Sequence, residues 1–226
     1  MGRVVVLTTG RTVAMRFDPT AGGAIPLLGP EELAASLPPG APELELEAVC
    51  NLPSSHFTVE TLWQIRERVV AWCARADVDG IVITHGTDTL EETAYLLDLT
   101  VPGETPIVLT GPMRSASEPG YDGPGNLWAA LRVAASPSAR GLGALVLFND
   151  EVHAARWATK GDTLSPATFE SPGWGPIGRV EGDRVDLPLR LQREVIPCSR
   201  LEPRVALIKL GVAMDPWPME DAIARG

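Results

Sequence analysis

Hydroxyl side chains, one acidic residue and one lysine recur at equivalent places in this chain, directly after short apolar runs. Thr9 and Thr12 follow Arg3 to Leu7 (RVVVL), and Ser54 and Ser55 lie in Asn51-Leu52-Pro53-Ser54-Ser55-His56. Thr87 and Asp88 lie in Thr84-His85-Gly86-Thr87-Asp88-Thr89, and Lys160 stands in the loop-like segment beyond Ala144 to Phe148. A hydroxyl attacks only when a base takes its proton, and a lysine held neutral by desolvation can do this through a second hydroxyl. Asp88 then has two roles open to it, orienting the lysine or holding a cationic group of a substrate. Backbone N–H groups at two helix N-termini can stabilise the oxyanion of an acyl-transfer intermediate. The set points to a hydrolase. His85 abuts it, and no GxGxxG or Walker pattern offers a phosphate-binding alternative.

These residues need elements to gather them, and the clearest is Ile81 to Leu97 (IVITHGTDTLEETAYLL). Ile81, Val82 and Ile83 read as a strand covered on both faces, as in a parallel sheet. Leu90, Ala94 and Leu97 give the following helix its apolar stripe. Thr89 with Glu92 is a capping-box signature, and Glu91 and Glu92 put negative charge where the helix dipole favours it. The polar loop therefore sits at a strand's carboxyl end, where open α/β sheets place their ligands.

The same unit repeats along the chain. Strands are expected at Arg3 to Leu7, Glu43 to Val49, Pro106 to Leu109 and Ala144 to Phe148. One helix, which Thr58 can cap, carries Leu62, Ile65, Val69 and Trp72, and another carries Leu127, Leu131 and Ala134. Pro30 to Leu37 reads as a short helix, and residues 16–29 as a loop able to act as a lid. Alternation of this kind predicts an α/β fold with a doubly wound, mostly parallel sheet flanked by helices. From residue 161 glycine and proline crowd together, and Arg179 to Leu187 reads as a hairpin about Gly182, forming an arm outside the core. Residues 1–189 are expected to be one catalytic domain and 190–204 a linker. Residues 205–226, with a strand at Val205 to Leu210 and a helix at Pro218 to Ala224, read as the truncated start of a second α/β domain.

Composition narrows the partners. With 226 residues, 45% of them hydrophobic, the chain can bury one sizeable core, and no apolar stretch approaches the roughly 18 residues of a membrane span. Val4 to Leu7 is too short for a signal peptide, so the expected location is cytoplasmic. A formal charge of −10 disfavours nucleic acid and anionic membrane surfaces. Cys50, Cys73 and Cys198 are odd in number and widely spaced, which fits reduced packing residues and neither a disulfide framework nor a zinc site.

Thr84 to Ala94 (THGTDTLEETA) resembles the second signature of bacterial-type L-asparaginases and glutaminase-asparaginases, and Thr8 to Ala14 (TTGRTVA) resembles the first. The similarity continues through Leu109 to Asn126, Phe148 to Lys160 and Ser171 to Gly178, and so covers nearly the whole chain. It implies hydrolysis of the side-chain amide of asparagine, sometimes glutamine, to the acid and ammonia, with no cofactor and no metal. Matched by motif, Thr9 is the nucleophile, and Thr87, Asp88 and Lys160 form the second catalytic set. Ser54 and Asp88 hold the substrate's α-carboxylate and α-amino groups, with Ser55 beside them. A homo-oligomer, dimer or tetramer, is implied as well.

The chain departs from the family pattern in four places. Arg11 replaces the second glycine of the usual TGGT, no tyrosine precedes Tyr95 in the lid region, Ser55 stands where many members carry glutamine, and most of the second domain is missing. Two other readings stay open beside an asparaginase: a degenerate or truncated relative that binds a small amino acid without turnover, and an amidase acting on another small amide.

Overall fold

A computed structural model describes residues 2–10, 15–18, 23–26 and 41–225. Its centre is an eight-stranded sheet. Four of the expected runs form the parallel strands β1 (Arg3–Thr8), β5 (Val78–Thr84), β6 (Ile107–Thr110) and β7 (Ala144–Phe148), and β4 (Glu43–Ala48) joins beside β1. The order β4-β1-β5-β6-β7 reverses direction at β1, so a crevice opens between the loops that follow β1 and β5. Beyond β7 the sheet turns antiparallel through β8 (Glu151–Ala154), β11 (Gly178–Glu181) and β12 (Arg184–Asp186).

Alternation along each parallel strand decides which helix it meets. Val5, Leu7, Ile81, Ile83, Ile107, Leu109, Val146 and Phe148 share one core with Ile65, Val69 and Trp72 of helix α1 (Val59–Cys73) and with Leu90, Ala94 and Leu97 of helix α2 (Leu90–Thr100). Val4, Val6, Val82, Val108, Leu145 and Leu147 face Leu127, Leu131 and Ala134 of helix α3 (Gly123–Ala134) on the other side. The sheet is thus covered on both faces, which is why its strands read as continuous apolar runs. Gly80 marks the closest approach, since a Cβ there would lie 2.1 Å from the Ala134 carbonyl oxygen.

Several expectations are corrected. The hairpin about Gly182 forms, but it extends the main sheet and buries Val180 and Leu187, so it belongs to the core and is no arm. Within residues 16–29, backbone pairing joins β2 (Met15–Asp18) to β3 (Gly23–Pro26), where a loop was expected. Residues 205–210 form no strand. They meet no neighbouring strand to pair with, and Val205 and Leu207 stay exposed at 77% and 98%. Helix α4 (Trp217–Arg225) forms as expected but buries none of its residues. The helix expected at 30–37 and residues Arg11 and Thr12 lie outside the described residues. No helix among the described residues is long and apolar enough to cross a membrane.

Candidate active site

Thr9 leaves β1 at its carboxyl end and is fully buried. Its hydroxyl donates to the Thr84 carbonyl at 3.0 Å, and its backbone N–H reaches the same oxygen at 3.2 Å. The first loop is thereby fastened to the end of β5 across the crevice. Ser54 is buried in a 3₁₀ turn, Ser54–His56, that follows β4. Thr89 ties this turn to the central loop by donating its hydroxyl to the Ser54 carbonyl at 2.9 Å. The capping box read from Thr89 and Glu92 is therefore absent: Thr89 makes no side-chain cap on α2, because its hydroxyl serves the neighbouring loop. Thr58 does cap α1, accepting from the Thr61 N–H at 3.3 Å.

Lys160 lies in the two-residue strand β9 (Thr159–Lys160), paired with β10 (Phe169–Glu170), where the sequence suggested a loop. Its Nζ donates to Thr87 Oγ1 at 3.0 Å and to Asp88 Oδ1 at 2.8 Å. The lysine side chain is 16% exposed and the aspartate 66%. The expected hydroxyl, carboxylate and lysine thus meet, residues from positions 87, 88 and 160 sharing one cluster. Asp88 holds the Lys160 Nζ beside the Thr87 hydroxyl. Thr9 makes its hydrogen bond to Thr84, on the adjoining strand end. Ser55 is exposed beside the buried Ser54.

Two supporting residues were not legible as site residues. Glu91, read only as a favourable charge in a first helical turn, accepts the Lys160 backbone N–H at 2.6 Å. Asp122 accepts the N–H groups of Met113 and Arg114 at 3.0 Å and the Asn126 side-chain amide at 3.1 Å, which closes the loop 111–122. That loop walls a cleft of about 240 Å3 lined by Leu52, Pro53, Ser54, Gly86, Met113 and Arg114. Only the Asp122-Gly123-Pro124 run at the start of α3 hinted at such a loop closure.

His85 is a structural neighbour of the cluster. It is fully buried, with Nδ1 2.6 Å from the Gly86 carbonyl and Nε2 2.8 Å from Thr93 Oγ1. A carbonyl only accepts, so Nδ1 carries the proton and Nε2 accepts from Thr93. Burial pushes the His85 pKa down to about 4, against a smaller opposing effect of the Gly86 carbonyl. The ring is neutral at pH 7 and fixes the loop that carries Thr87 and Asp88. Among the described residues no group of three or more His, Cys, Asp or Glu side chains is placed to hold a metal ion.

The fold and site together define an α/β protein whose sheet-reversal crevice carries hydroxyl groups, a lysine and a carboxylate. A family model described as Asparaginase, N-terminal matches residues 3–193. The chain belongs to the asparaginase family. It is 38% identical over 183 residues to L-asparaginase 2 of Bacillus subtilis, covering 79% of this chain and 49% of that one. It is 41% identical over 189 residues to a glutaminase-asparaginase of Pseudomonas fluorescens biotype A, covering 80% and 51%. The crystal structure of a probable cytoplasmic L-asparaginase from Campylobacter jejuni superposes with a TM-score of 0.77 at 33% identity, over 86% of this chain and 60% of that one. The chain spans about half the length of the two curated relatives.

Proposed function

We propose that the protein hydrolyses the side-chain amide of L-asparagine to L-aspartate and ammonia, with Thr9 as nucleophile and an acyl-enzyme as intermediate. The observation that carries this reading is the contact of Lys160 Nζ with both Thr87 Oγ1 and Asp88 Oδ1 at the crevice where Thr9 also ends. The names of the relatives, L-asparaginase and glutaminase-asparaginase, agree with an amide substrate of this kind. In the Campylobacter neighbour the same description adds a cytoplasmic setting, which we adopt.

The substrate's α-carboxylate sits at Ser54, with Ser55 at its edge, and its α-ammonium on Asp88. That ammonium and the Lys160 Nζ then share the one carboxylate. Thr9 turns its hydroxyl from the Thr84 carbonyl and attacks the side-chain amide carbon, while its proton passes through Thr87 to Lys160. Backbone N–H groups at the loop ends hold the oxyanion. Return of the proton to the amide nitrogen expels ammonia and leaves an ester on Thr9. Water, activated by the same relay, then releases aspartate. No cofactor takes part in these steps.

A binding protein without turnover is the second reading, favoured by one observation: the Thr9 hydroxyl is fully buried and committed to a backbone carbonyl. Ammonia release from asparagine and glutamine at neutral pH separates the two. The expected result is release by the purified chain and none by Thr9→Ala, with unchanged thermal melting. Undiminished turnover in Thr9→Ala would remove Thr9 from the mechanism, and calorimetric binding of asparagine with no ammonia would establish the second reading.

A further inference from the structure

The chain contains two lysines, Lys160 and Lys209, among its 19 basic residues. Lys160 is therefore one of two lysines in a chain whose other basic residues are arginines. Its side chain is long and flexible, with a large rotamer entropy to lose when Nζ is held against Thr87 and Asp88. Strand β9 that carries it is only two residues long, so the sheet alone fixes its backbone weakly. The Lys160 N–H goes to no strand neighbour. It goes to Glu91 Oε2 at 2.6 Å, a charge-assisted bond spanning 69 residues of sequence. Gly161, the next residue, gives its N–H to the Thr168 carbonyl at 2.8 Å.

Glu91 stands in the first turn of α2, directly after the loop that carries Thr87 and Asp88. One loop-to-helix unit thus grips Lys160 twice, at the tip of its side chain and at its own backbone. We propose that Glu91 is a positioning residue for the hydrolysis proposed above, setting the distance from which Lys160 reaches Thr87. Its carboxylate touches neither the proposed nucleophile nor the proposed substrate position. It acts through the placement of the lysine's Cα, so its loss should act on turnover and spare capture of the amino acid by Ser54 and Asp88.

Three variants and two measurements test this. Glu91→Ala removes the acceptor, Glu91→Asp shortens its reach, and Glu91→Gln keeps an acceptor oxygen in place. The expected pattern is a kcat lowered about 10- to 100-fold by Glu91→Ala and nearly as much by Glu91→Asp, with KM for asparagine within about twofold, and with Glu91→Gln within about threefold of the parent, in line with the loss typical for a misplaced general base. The second measurement needs no turnover. Reductive methylation read by mass spectrometry gives the rate at Lys160 relative to the exposed Lys209, and this ratio should rise about fivefold or more in Glu91→Ala and stay near the parent's in Glu91→Gln. A purely structural Glu91 would lower the melting temperature of all three and leave the labelling ratio of the folded fraction alone. An unchanged kcat in Glu91→Ala, or an unchanged labelling ratio, overturns the proposal. If the parent chain releases no ammonia, the function proposed above fails, and the labelling ratio still decides whether Glu91 positions Lys160.

Discussion

At the scale of single residues, His85 makes the sharpest statement about pH. Its pKa is lowered to about 4 in the fold, so between that value and the ordinary 6.5 the unfolded chain binds the proton and the folded chain does not. Stability held above pH 6.5 is therefore lost as pH falls toward 4, by up to about 3 kcal/mol for a shift of this size. His153, also pushed down by burial, adds to the loss in the same direction. We expect chemical denaturation at pH 7.5, 6 and 5 to show falling stability, and His85→Gln to flatten part of that fall. A slope unchanged by His85→Gln would assign the acid sensitivity elsewhere. Gly86 gives a second test. A Cβ there would lie 2.7 Å from Ser54 Oγ, so Gly86→Ala must push the serine aside. KM for asparagine should rise about tenfold while the melting temperature moves little, if Ser54 holds the substrate's α-carboxylate as proposed and takes no part in the proton relay.

At the scale of elements, the loop between β6 and α3 depends on one carboxylate. Asp122 takes the N–H groups of Met113 and Arg114 and the Asn126 amide, and Asn126 in turn donates to the Gly111 carbonyl at 2.9 Å. Asp122→Ala leaves these donors without their acceptor, a loss of about 2 to 3 kcal/mol when partly buried groups go unpaired. Urea denaturation should show that loss, together with a raised KM, because the loop walls the cleft beside Ser54 and Gly86. A variant as stable as the parent would mean that water replaces the carboxylate.

The same elements show what a sequence reveals. The strands that build the parallel sheet are legible because both their faces are buried, and alternation between Val5 and Val6 or Ile81 and Val82 then merely sorts residues between two apolar cores. Thr87, Asp88 and Lys160 are legible as chemistry because each stands in a polar segment that follows an apolar strand of the one sheet, although β6 lies between β5 and β7. What stays hidden depends on contacts between distant segments. Thr89 looks like a helix cap until Ser54 claims its hydroxyl, and Glu91 looks like a helix-dipole residue until Lys160 arrives from 69 positions away. The edge hairpin looks detached because its alternating charges face solvent, while Val180 and Leu187 pack inward.

At the scale of the whole molecule, the segment after the sheet is fastened chiefly around one buried carboxylate. Asp98, in α2, is almost fully buried and pairs with Arg193 Nε at 3.1 Å and Arg156 Nη2 at 3.2 Å. Arg193 also donates to the Asp98 and Val101 carbonyls at 2.8 and 3.1 Å, and the Ile196 N–H reaches the Leu99 carbonyl at 2.7 Å. Breaking one side of such a buried pair costs about 3 to 5 kcal/mol, so Asp98→Ala should lower stability by roughly that much, more than Arg156→Met at the more exposed partner. Beyond residue 200 the side chains of Val205, Leu207, Leu210, Trp217 and Ile223 are exposed in the single chain. Apolar area of this extent, left exposed by the described residues, would be buried against a second copy, and a twofold dimer is the least demanding closed arrangement. We predict that light scattering on the 226-residue chain gives about twice the monomer mass of 24.1 kDa, and that Leu207→Lys combined with Ile223→Lys returns it to monomer. A monodisperse monomer for the parent would mean that these side chains stay in water, and a dimer that survives both lysines would place the interface on the sheet domain instead.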